Sequence, residues 1–180
     1  MAGTIDLCMT DGNGYGVFDY RFLNSIGNGQ DYKVWSVMDM ITKATGLAAQ
    51  ADAKIQNLYI NGHGAPGFQA VGSGRGSDTI GDRSLQIDQA NYPQLLGVAA
   101  WAGLGTLTDY MADDAMVTLS GCQVAAGPNG KALLRAIAAV IGTWVQACDA
   151  KQYAWIPGWE GNLYKCSPDG DILCPDGSYM

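Results

Sequence analysis

The stretch Met116–Gly142, MVTLSGCQVAAGPNGKALLRAIAAVIG, carries the pattern that decides the fold. It begins with Met116–Leu119, an apolar and partly β-branched run that predicts a buried strand. After a turn through Ser120, Gly121 and Cys122, apolar residues recur at helical spacing, and the terminal glycine predicts the end of that helix. Cys122 therefore lies after a buried strand and before a helix, where open α/β sheets place their chemistry.

Strands and helices alternate along the rest of the chain. The predicted strands are Thr4–Thr10, Ile55–Asn61 and Thr143–Ala147, and the predicted helices are Tyr32–Gln50 and Gln89–Asp113. We assign seven residues to the apolar face of the first helix: Val34, Trp35, Val37, Met38, Ile41, Ala44 and Leu47. Such an order implies βαβ units with right-handed crossovers, so the predicted fold class is α/β with a mainly parallel sheet.

Two glycine-rich loops and a turn-rich tail complete this outline. Loops are predicted at Asp11–Gly16 and from Gly62 to about Arg83, the second with room for a small hairpin. The tail Tyr153–Met180 contains two Pro-Asp-Gly turns and predicts a small β appendage. We expect one α/β domain at residues 1–150, with residues 151–180 as an appendage of the same domain.

Composition excludes several functional classes. The chain has 180 residues, of which 48% are hydrophobic and 15% charged, which is typical of a globular domain. Its formal charge of −7 argues against nucleic acid or an anionic membrane as a partner. No apolar run approaches the length of a membrane span. The amino-terminal residues lack the basic segment of a signal peptide, so we expect a cytoplasmic protein, or export without such a signal.

Five cysteines and one histidine limit the possible metal and disulfide chemistry. The cysteines are irregularly spaced and form no CxxC pair, so we expect no metal site and no cofactor. Cys166 and Cys174 flank a turn-rich segment and could pair in an oxidising compartment. We expect Cys8, within a predicted strand, to be a small buried hydrophobic residue.

His63 and Cys122 are the candidate chemical groups. Each follows the carboxyl end of a predicted strand, so parallel pairing of those strands would bring both to one edge of the sheet. An imidazole can activate a thiol as a nucleophile, and backbone N–H groups beside Gly64 and Gly121 could hold an oxyanion. The alternatives are an inert core cysteine and a surface histidine.

These residues resemble the caspase-like (clan CD) cysteine peptidases. The blocks are Asn61–Gly67, NGHGAPG, and Gly121–Gly127, GCQVAAG, each after an apolar strand. They are most similar to a bacterial caspase-like domain of uncharacterised function that is typical of large surface proteins. The resemblance covers roughly Ile55–Ala147 and implies a three-layer αβα sandwich. It also implies Cys122 as nucleophile, His63 as general acid/base and an oxyanion hole formed by the backbone N–H groups of Gly64 and Cys122.

The sequence departs from that family at the position that reads the substrate. Ser120 stands where related peptidases carry an aspartate that recognises a basic P1 residue. Asn61 replaces the usual serine before the His-Gly block, and Gly62 is inserted. Asp11 follows the first strand at the same predicted edge, so it could supply a carboxylate to the pocket, or merely cap a turn. We therefore predict Asp11 and Ser120 as substrate-binding residues.

Three functions remain open at this point. The first is a cysteine endopeptidase acting on peptide or protein substrates, with Arg or Lys at P1 if Asp11 lines the pocket. Such an enzyme could process itself at Arg75 or Arg83. The second is a catalytically silent caspase-like domain used for binding or assembly. The third is another thiol acyl-transfer enzyme, such as an amidase, built on the same pair.

Overall fold

The computed structural model of the protein describes residues 3–12, 31–71, 79–80, 103–152 and 160–180. Within these ranges the strands, in chain order, are β1 (Gly3–Asp11), β2 (Asp31–Val34), β3 (Ala53–Asn61), β4 (Gly64–Ala65), β5 (Phe68–Ala70), β6 (Thr79–Ile80), β7 (Met111–Leu119), β8 (Trp144–Cys148), β9 (Leu163–Cys166) and β10 (Ile172–Leu173). The helices are α1 (Val37–Ala51), a 3-10 helix at Gly105–Tyr110 and α2 (Gly127–Ile141).

Seven of these strands form one sheet in the order β10-β9-β8-β7-β3-β1-β2. The five strands β8, β7, β3, β1 and β2 are parallel to one another. Strand β9 pairs antiparallel with β8, and β10 pairs antiparallel with β9. The short strands β4, β5 and β6 form a separate antiparallel sheet. The protein is therefore mixed α/β with a mainly parallel central sheet, as predicted, and this arrangement is compatible with a three-layer sandwich.

The described helices pack on one face of the sheet. Both α1 and α2 contact the 3-10 helix. The connections from β2 to β3, from β3 to β7 and from β7 to β8 all advance in the same direction, so right-handed crossovers place these helices on the same side. Strand residues such as Leu58, Ile60 and Val117 are fully buried in the core together with Leu133 and Ile137 of α2.

The opposite face of the sheet carries hydrogen-bonded polar side chains. Asn57 donates to Asp6 at 2.7 Å, and Gln146 donates to Thr118 at 2.9 Å. Asn61, the last residue of β3, donates to the Cys8 sulfur and the Thr10 hydroxyl of the neighbouring strand. Each pair links two adjacent strands, so these side chains reinforce the register of the sheet.

The predicted helix Tyr32–Gln50 is wrong at its beginning. Residues 31–34 form strand β2, which pairs with the end of β1, and the helix begins only at Val37. Ser36 caps it by accepting a hydrogen bond from the Asp39 N–H at 3.0 Å. Of the predicted apolar face, Val37, Ile41 and Ala44 are buried and Leu47 is partly buried. Val34 is fully buried but lies in the strand, and Trp35 and Met38 are half exposed. The apolar spacing thus ran across a strand-to-helix boundary.

The predicted helix Gln89–Asp113 is also wrong at its carboxyl end, and its part before residue 103 lies outside the described residues. The helical segment ends at Tyr110, and β7 begins at Met111, five residues before the predicted strand. Asp113 and Asp114 are exposed within this strand, whereas Met111 and Ala115 are buried. The two carboxylates therefore interrupted the apolar pattern that would have predicted the longer strand.

The other predicted elements agree with the structure or extend into neighbouring residues. The helix after Cys122 is α2, and Gly142 ends it with a φ of 73°, as predicted. The tail adds β9 and β10 to the main sheet as an antiparallel edge. Residues 13–16 of the first loop, residues 153–159 of the tail, Arg75 and Arg83 lie outside the described residues.

Candidate functional site

The carboxyl ends of β3 and β7 meet at one edge of the sheet. The two strands are adjacent and parallel, with Ile60 paired to Leu119, and the Ser120 N–H continues the ladder by donating to the Ile60 carbonyl at 2.9 Å. His63 lies two residues beyond the end of β3, and Cys122 lies three residues beyond the end of β7. The predicted shared edge is therefore present.

The backbones of the two loops are in direct contact. A Cβ atom added to Gly64 would lie 2.7 Å from both the nitrogen and the carbonyl oxygen of Cys122. One added to Gly121 would lie 2.8 Å from the Gly64 Cα. Real side chains do not approach this closely, so only glycine fits at either position. The glycines beside His63 and Cys122 thus allow the two loops to pack together.

The segment after His63 folds back as the hairpin β4–β5, which makes hydrogen bonds to the loop that follows β7 and contains Cys122 (here called the cysteine loop). The Ala70 N–H donates to the His63 carbonyl at 2.7 Å, which closes the hairpin, and the Gly67 N–H donates to the Val124 carbonyl at 3.1 Å. Gln69 is fully buried, and its amide oxygen accepts a hydrogen bond from the Gly121 N–H at 2.9 Å. The Gly121 N–H is therefore occupied by Gln69 and is not available to an oxyanion in this arrangement. Gly64 and Cys122 remain the predicted donors.

The Cys122 thiol is partly buried and contacts the main chain of Gln152. The Gln152 N–H donates to the sulfur at 3.3 Å, and the thiol in turn donates to the Gln152 carbonyl at 3.6 Å. Sequence reasoning missed Gln152 because nothing in its surroundings distinguishes it from an ordinary polar residue after a strand. The same holds for Gln69, whose role depends on a contact between distant parts of the chain.

The side chain of His63 is exposed. Among the described residues its imidazole has no hydrogen-bond partner, and the hydrogen bonds of the Cys122 sulfur are those to Gln152. The predicted pair therefore shares an edge of the sheet without a direct hydrogen bond between its side chains. Hydrogen bonds between catalytic groups are often absent or long before substrate binds, and the general acid/base role of His63 stays a prediction.

The turn after Cys122 has an unusual backbone. Gln123 adopts a φ of 57°, which is uncommon for a residue other than glycine, and its N–H donates to the Ala150 carbonyl at 2.8 Å. A second hydrogen bond to this turn comes from Lys131 of α2, whose ammonium group donates to the Ala125 carbonyl at 2.7 Å. Strained backbone that is fixed by surrounding hydrogen bonds is a frequent feature of functional sites.

Lys131 lies in a mostly buried environment next to this turn. Its ammonium group lies 2.9 Å from the centre of the Tyr164 ring. Burial is the largest influence and lowers the pKa of Lys131 to about 8, although Asp149 acts in the opposite direction. Burial also acts on Asp149 itself, but hydrogen bonds from Asn162 and the charge of Lys131 outweigh it and lower the pKa of that carboxyl group.

The two predicted substrate-binding residues, Asp11 and Ser120, both lie at the carboxyl edge. Asp11 is buried at the end of β1, and its Cβ would lie 3.4 Å from a Cβ placed on Gly62. Ser120 is buried beside Gly121, and its hydroxyl is, within the described part of the chain, the one fully buried side-chain oxygen or nitrogen without a hydrogen-bond partner. Their proposed contact with a substrate stays a prediction.

The remaining cysteines are free thiols with other surroundings. Cys8, Cys148 and Cys166 are buried, and Cys174 is partly exposed. Burial raises the pKa of Cys148 to about 12 and that of Cys166 to about 11. Cys166 and Cys174 do not form the disulfide that the sequence allowed.

Across the described ranges, no group of three or more histidine, cysteine, aspartate or glutamate side chains is arranged to hold a metal ion. None of the helices in those ranges has the length and apolar character needed to cross a membrane.

Comparison with known proteins gives one family. No curated protein and no solved structure is significantly similar to the chain. A family model described as a domain of unknown function (DUF4347) matches residues 36–152. The match includes His63, Gln69, Cys122 and Gln152 and ends before the antiparallel strands β9 and β10. Because it covers more than half of the sequence, the chain belongs to the DUF4347 family of domains of unknown function.

Proposed function

We propose that the protein is a caspase-like cysteine endopeptidase in which Cys122 is the nucleophile and His63 the general acid/base. The single observation that carries the proposal is the backbone contact between Gly64 and Cys122 at the edge where β3 and β7 end. This contact brings together the two glycine-containing blocks on which the resemblance to clan CD peptidases rests.

The proposed reaction is acyl transfer in two stages. The Cys122 thiolate attacks the carbonyl carbon of the scissile peptide bond, forming a C–S bond and an oxyanion that the Gly64 and Cys122 N–H groups stabilise. The C–N bond then breaks, and His63 gives its proton to the leaving amine. Water, deprotonated by His63, hydrolyses the thioester, releasing the carboxylate product and the free thiol. The exposure of the His63 side chain supports this role, because it leaves the ring room to approach a bound substrate.

The environment of Asp11 and Ser120 supports a polar specificity pocket. The Ser120 hydroxyl is buried without a partner in the described residues, and such a group is stabilised when a ligand supplies its hydrogen bond. The buried carboxyl group of Asp11 would favour a cationic P1 side chain if a substrate reaches it. We therefore propose a preference for Arg or Lys at P1 and include Arg75 and Arg83 as candidate self-cleavage positions.

Cleavage of a peptide library tests this proposal. The wild-type protein should cleave peptides with basic P1 residues, and Cys122→Ala and His63→Ala should each lose about a hundredfold or more in kcat/KM. Asp11→Asn should lose the preference for Arg over Leu while it keeps some activity. Equal cleavage by wild type and Cys122→Ala would refute the mechanism, and an unchanged preference in Asp11→Asn would refute only the pocket.

A catalytically silent binding domain is the second candidate. The hydrogen bonds of the Cys122 sulfur to Gln152, with none to His63, favour this alternative. A silent domain would show no cleavage of any library peptide and no thioester with an electrophilic acyl probe. An amidase would form the thioester but cleave only small amides, so the same two assays separate all three functions.

A further inference from the structure

We infer that Gln152 is a positioning residue for Cys122, whose side chain fixes the main-chain N–H that holds the sulfur. The role of this contact in catalysis rests on the proposed function, whereas the contact between Gln152 and Cys122 is observed in the structure. The Gln152 N–H donates a hydrogen bond to the Cys122 sulfur at 3.3 Å.

The Gln152 side chain makes three hydrogen bonds to the main chain. Its amide nitrogen donates to the Ala150 carbonyl at 3.1 Å and to the Glu160 carbonyl at 2.9 Å. Its amide oxygen accepts a hydrogen bond from the Glu160 N–H at 3.3 Å. One side chain thus ties the main chain at residue 152 to that at residues 150 and 160. This fixes the direction in which the Gln152 N–H points.

The backbone around Gln152 is anchored to the cysteine loop a second time. The Gln123 N–H donates to the Ala150 carbonyl at 2.8 Å, next to the residue that carries the thiol. Ala150 therefore accepts hydrogen bonds from both Gln123 and Gln152. This arrangement couples the strained turn after Cys122 to the segment that contacts its sulfur.

A fixed N–H group favours the charged form of the sulfur. An N–H donor stabilises a thiolate, whereas the Gln152 carbonyl, 3.6 Å away, can bond only the neutral thiol. The N–H donor is closer to the sulfur than the carbonyl acceptor. Loss of the Gln152 side-chain hydrogen bonds should therefore destabilise the thiolate more than the neutral thiol. Gln152 would then raise the reactivity of Cys122 near neutral pH without contacting the substrate.

The test is the rate of Cys122 alkylation by iodoacetamide as a function of pH, measured by mass spectrometry on the full chain. Gln152→Ala should move the rate–pH profile to higher pH and slow the reaction at pH 7 by about threefold or more, the size expected for one lost hydrogen bond. The matched control is Gln146→Ala, because Gln146 is also a partly buried glutamine, and its side chain bonds Thr118. Its profile should superimpose on that of the wild type.

Alkylation of Cys148 and Cys166 in the same samples reports unfolding, because both thiols are buried. If Gln152→Ala exposes them, Gln152→Glu replaces it, since this variant keeps the acceptor for the Glu160 N–H and loses both donated bonds. A folded variant whose profile coincides with that of the wild type would overturn the inference. Because alkylation needs no peptide substrate, this result is independent of whether the protein cleaves peptides.

Discussion

At the scale of single residues, the five thiols of the protein differ in what surrounds them. Cys148 and Cys166 are buried in positions that disfavour the thiolate, and Cys8 is buried between polar neighbours on the sheet. Cys122 is partly buried and receives an N–H hydrogen bond. Cys174 is partly exposed in the carboxyl-terminal segment. The most reactive thiol should therefore be that of Cys122 or that of Cys174.

We predict that Cys122 is the first thiol modified by limiting iodoacetamide at neutral pH. The physical reason is the combination of access, the N–H donor from Gln152 and a histidine at the same edge of the sheet. Mass-spectrometric mapping identifies the modified residue, and Cys174→Ser removes the main competitor. His63→Ala should slow the labelling. Earlier modification of Cys8 or Cys148 would contradict the prediction.

At the scale of elements, the site depends on the contact between the hairpin β4–β5 and the loop after β7. Gly64 and Gly121 allow the backbones to touch. The buried Gln69 amide oxygen accepts the hydrogen bond of the Gly121 N–H, which would otherwise lack a partner. A buried N–H without a partner is costly, so the glutamine contributes to stability as well as to position. Hairpin and loop therefore act as one structural unit.

We predict that Gly64→Ala lowers the free energy of unfolding by about 1–3 kcal/mol, because its methyl group would overlap the Cys122 backbone. The matched control is Gly46→Ala in α1, where a Cβ meets nothing within 4 Å. Alanine is the better helix former, so this control should gain about 0.5–1 kcal/mol. Urea unfolding curves measure both changes. Equal midpoints for Gly64→Ala and wild type would show that the contact is not formed.

These elements also show what the sequence could and could not predict. The strand–cysteine–helix pattern was sufficient for the second half of β7, for α2 and for the shared edge, because burial and helical spacing leave a clear local signal. Strand β2 was missed because Val34 and its neighbours fit helical spacing as well, and Asp113 and Asp114 concealed the first half of β7. Gln69 and Gln152 were missed because their partners, Gly121 and Cys122, are distant in the sequence.

At the scale of the whole molecule, Lys131 links three parts of the fold. It belongs to α2, donates to the Ala125 carbonyl beyond Cys122, and lies over the Tyr164 ring of β9. Its burial lowers the pKa to about 8 from an ordinary value of 10.5, so the charged form is less favourable in the folded protein than in the unfolded chain. Stability should therefore depend on pH through this residue.

We predict that the free energy of unfolding rises between pH 8 and pH 9. In this window the unfolded chain still binds the Lys131 proton that the folded protein has begun to release, so increasing pH favours folding. Above pH 9 the buried thiols of Cys148 and Cys166 act in the opposite direction, because they stay protonated when folded and ionise when unfolded.

The measurement is chemical denaturation at a series of pH values for wild type and Lys131→Met. The wild-type curve should rise relative to that of the variant by up to about 1.4 kcal/mol per pH unit, the limit for one proton. Parallel curves from pH 8 to pH 9 would show that the Lys131 proton is not released in that range. The comparison cancels the contribution of the acidic surface, which both proteins share.

The contacts of the cysteine loop have a consequence for the time at which the thiol becomes reactive during synthesis. Translation delivers His63 first, then Cys122 and last Gln152, whose main chain contacts the sulfur. Until β8 and the residues after it have left the ribosome, Cys122 lacks the N–H group that holds it. A nascent chain shorter than this would carry the Cys122 thiol without its folded environment, so the contact that we infer to raise its reactivity forms only after the segment that contains Gln152 has been made.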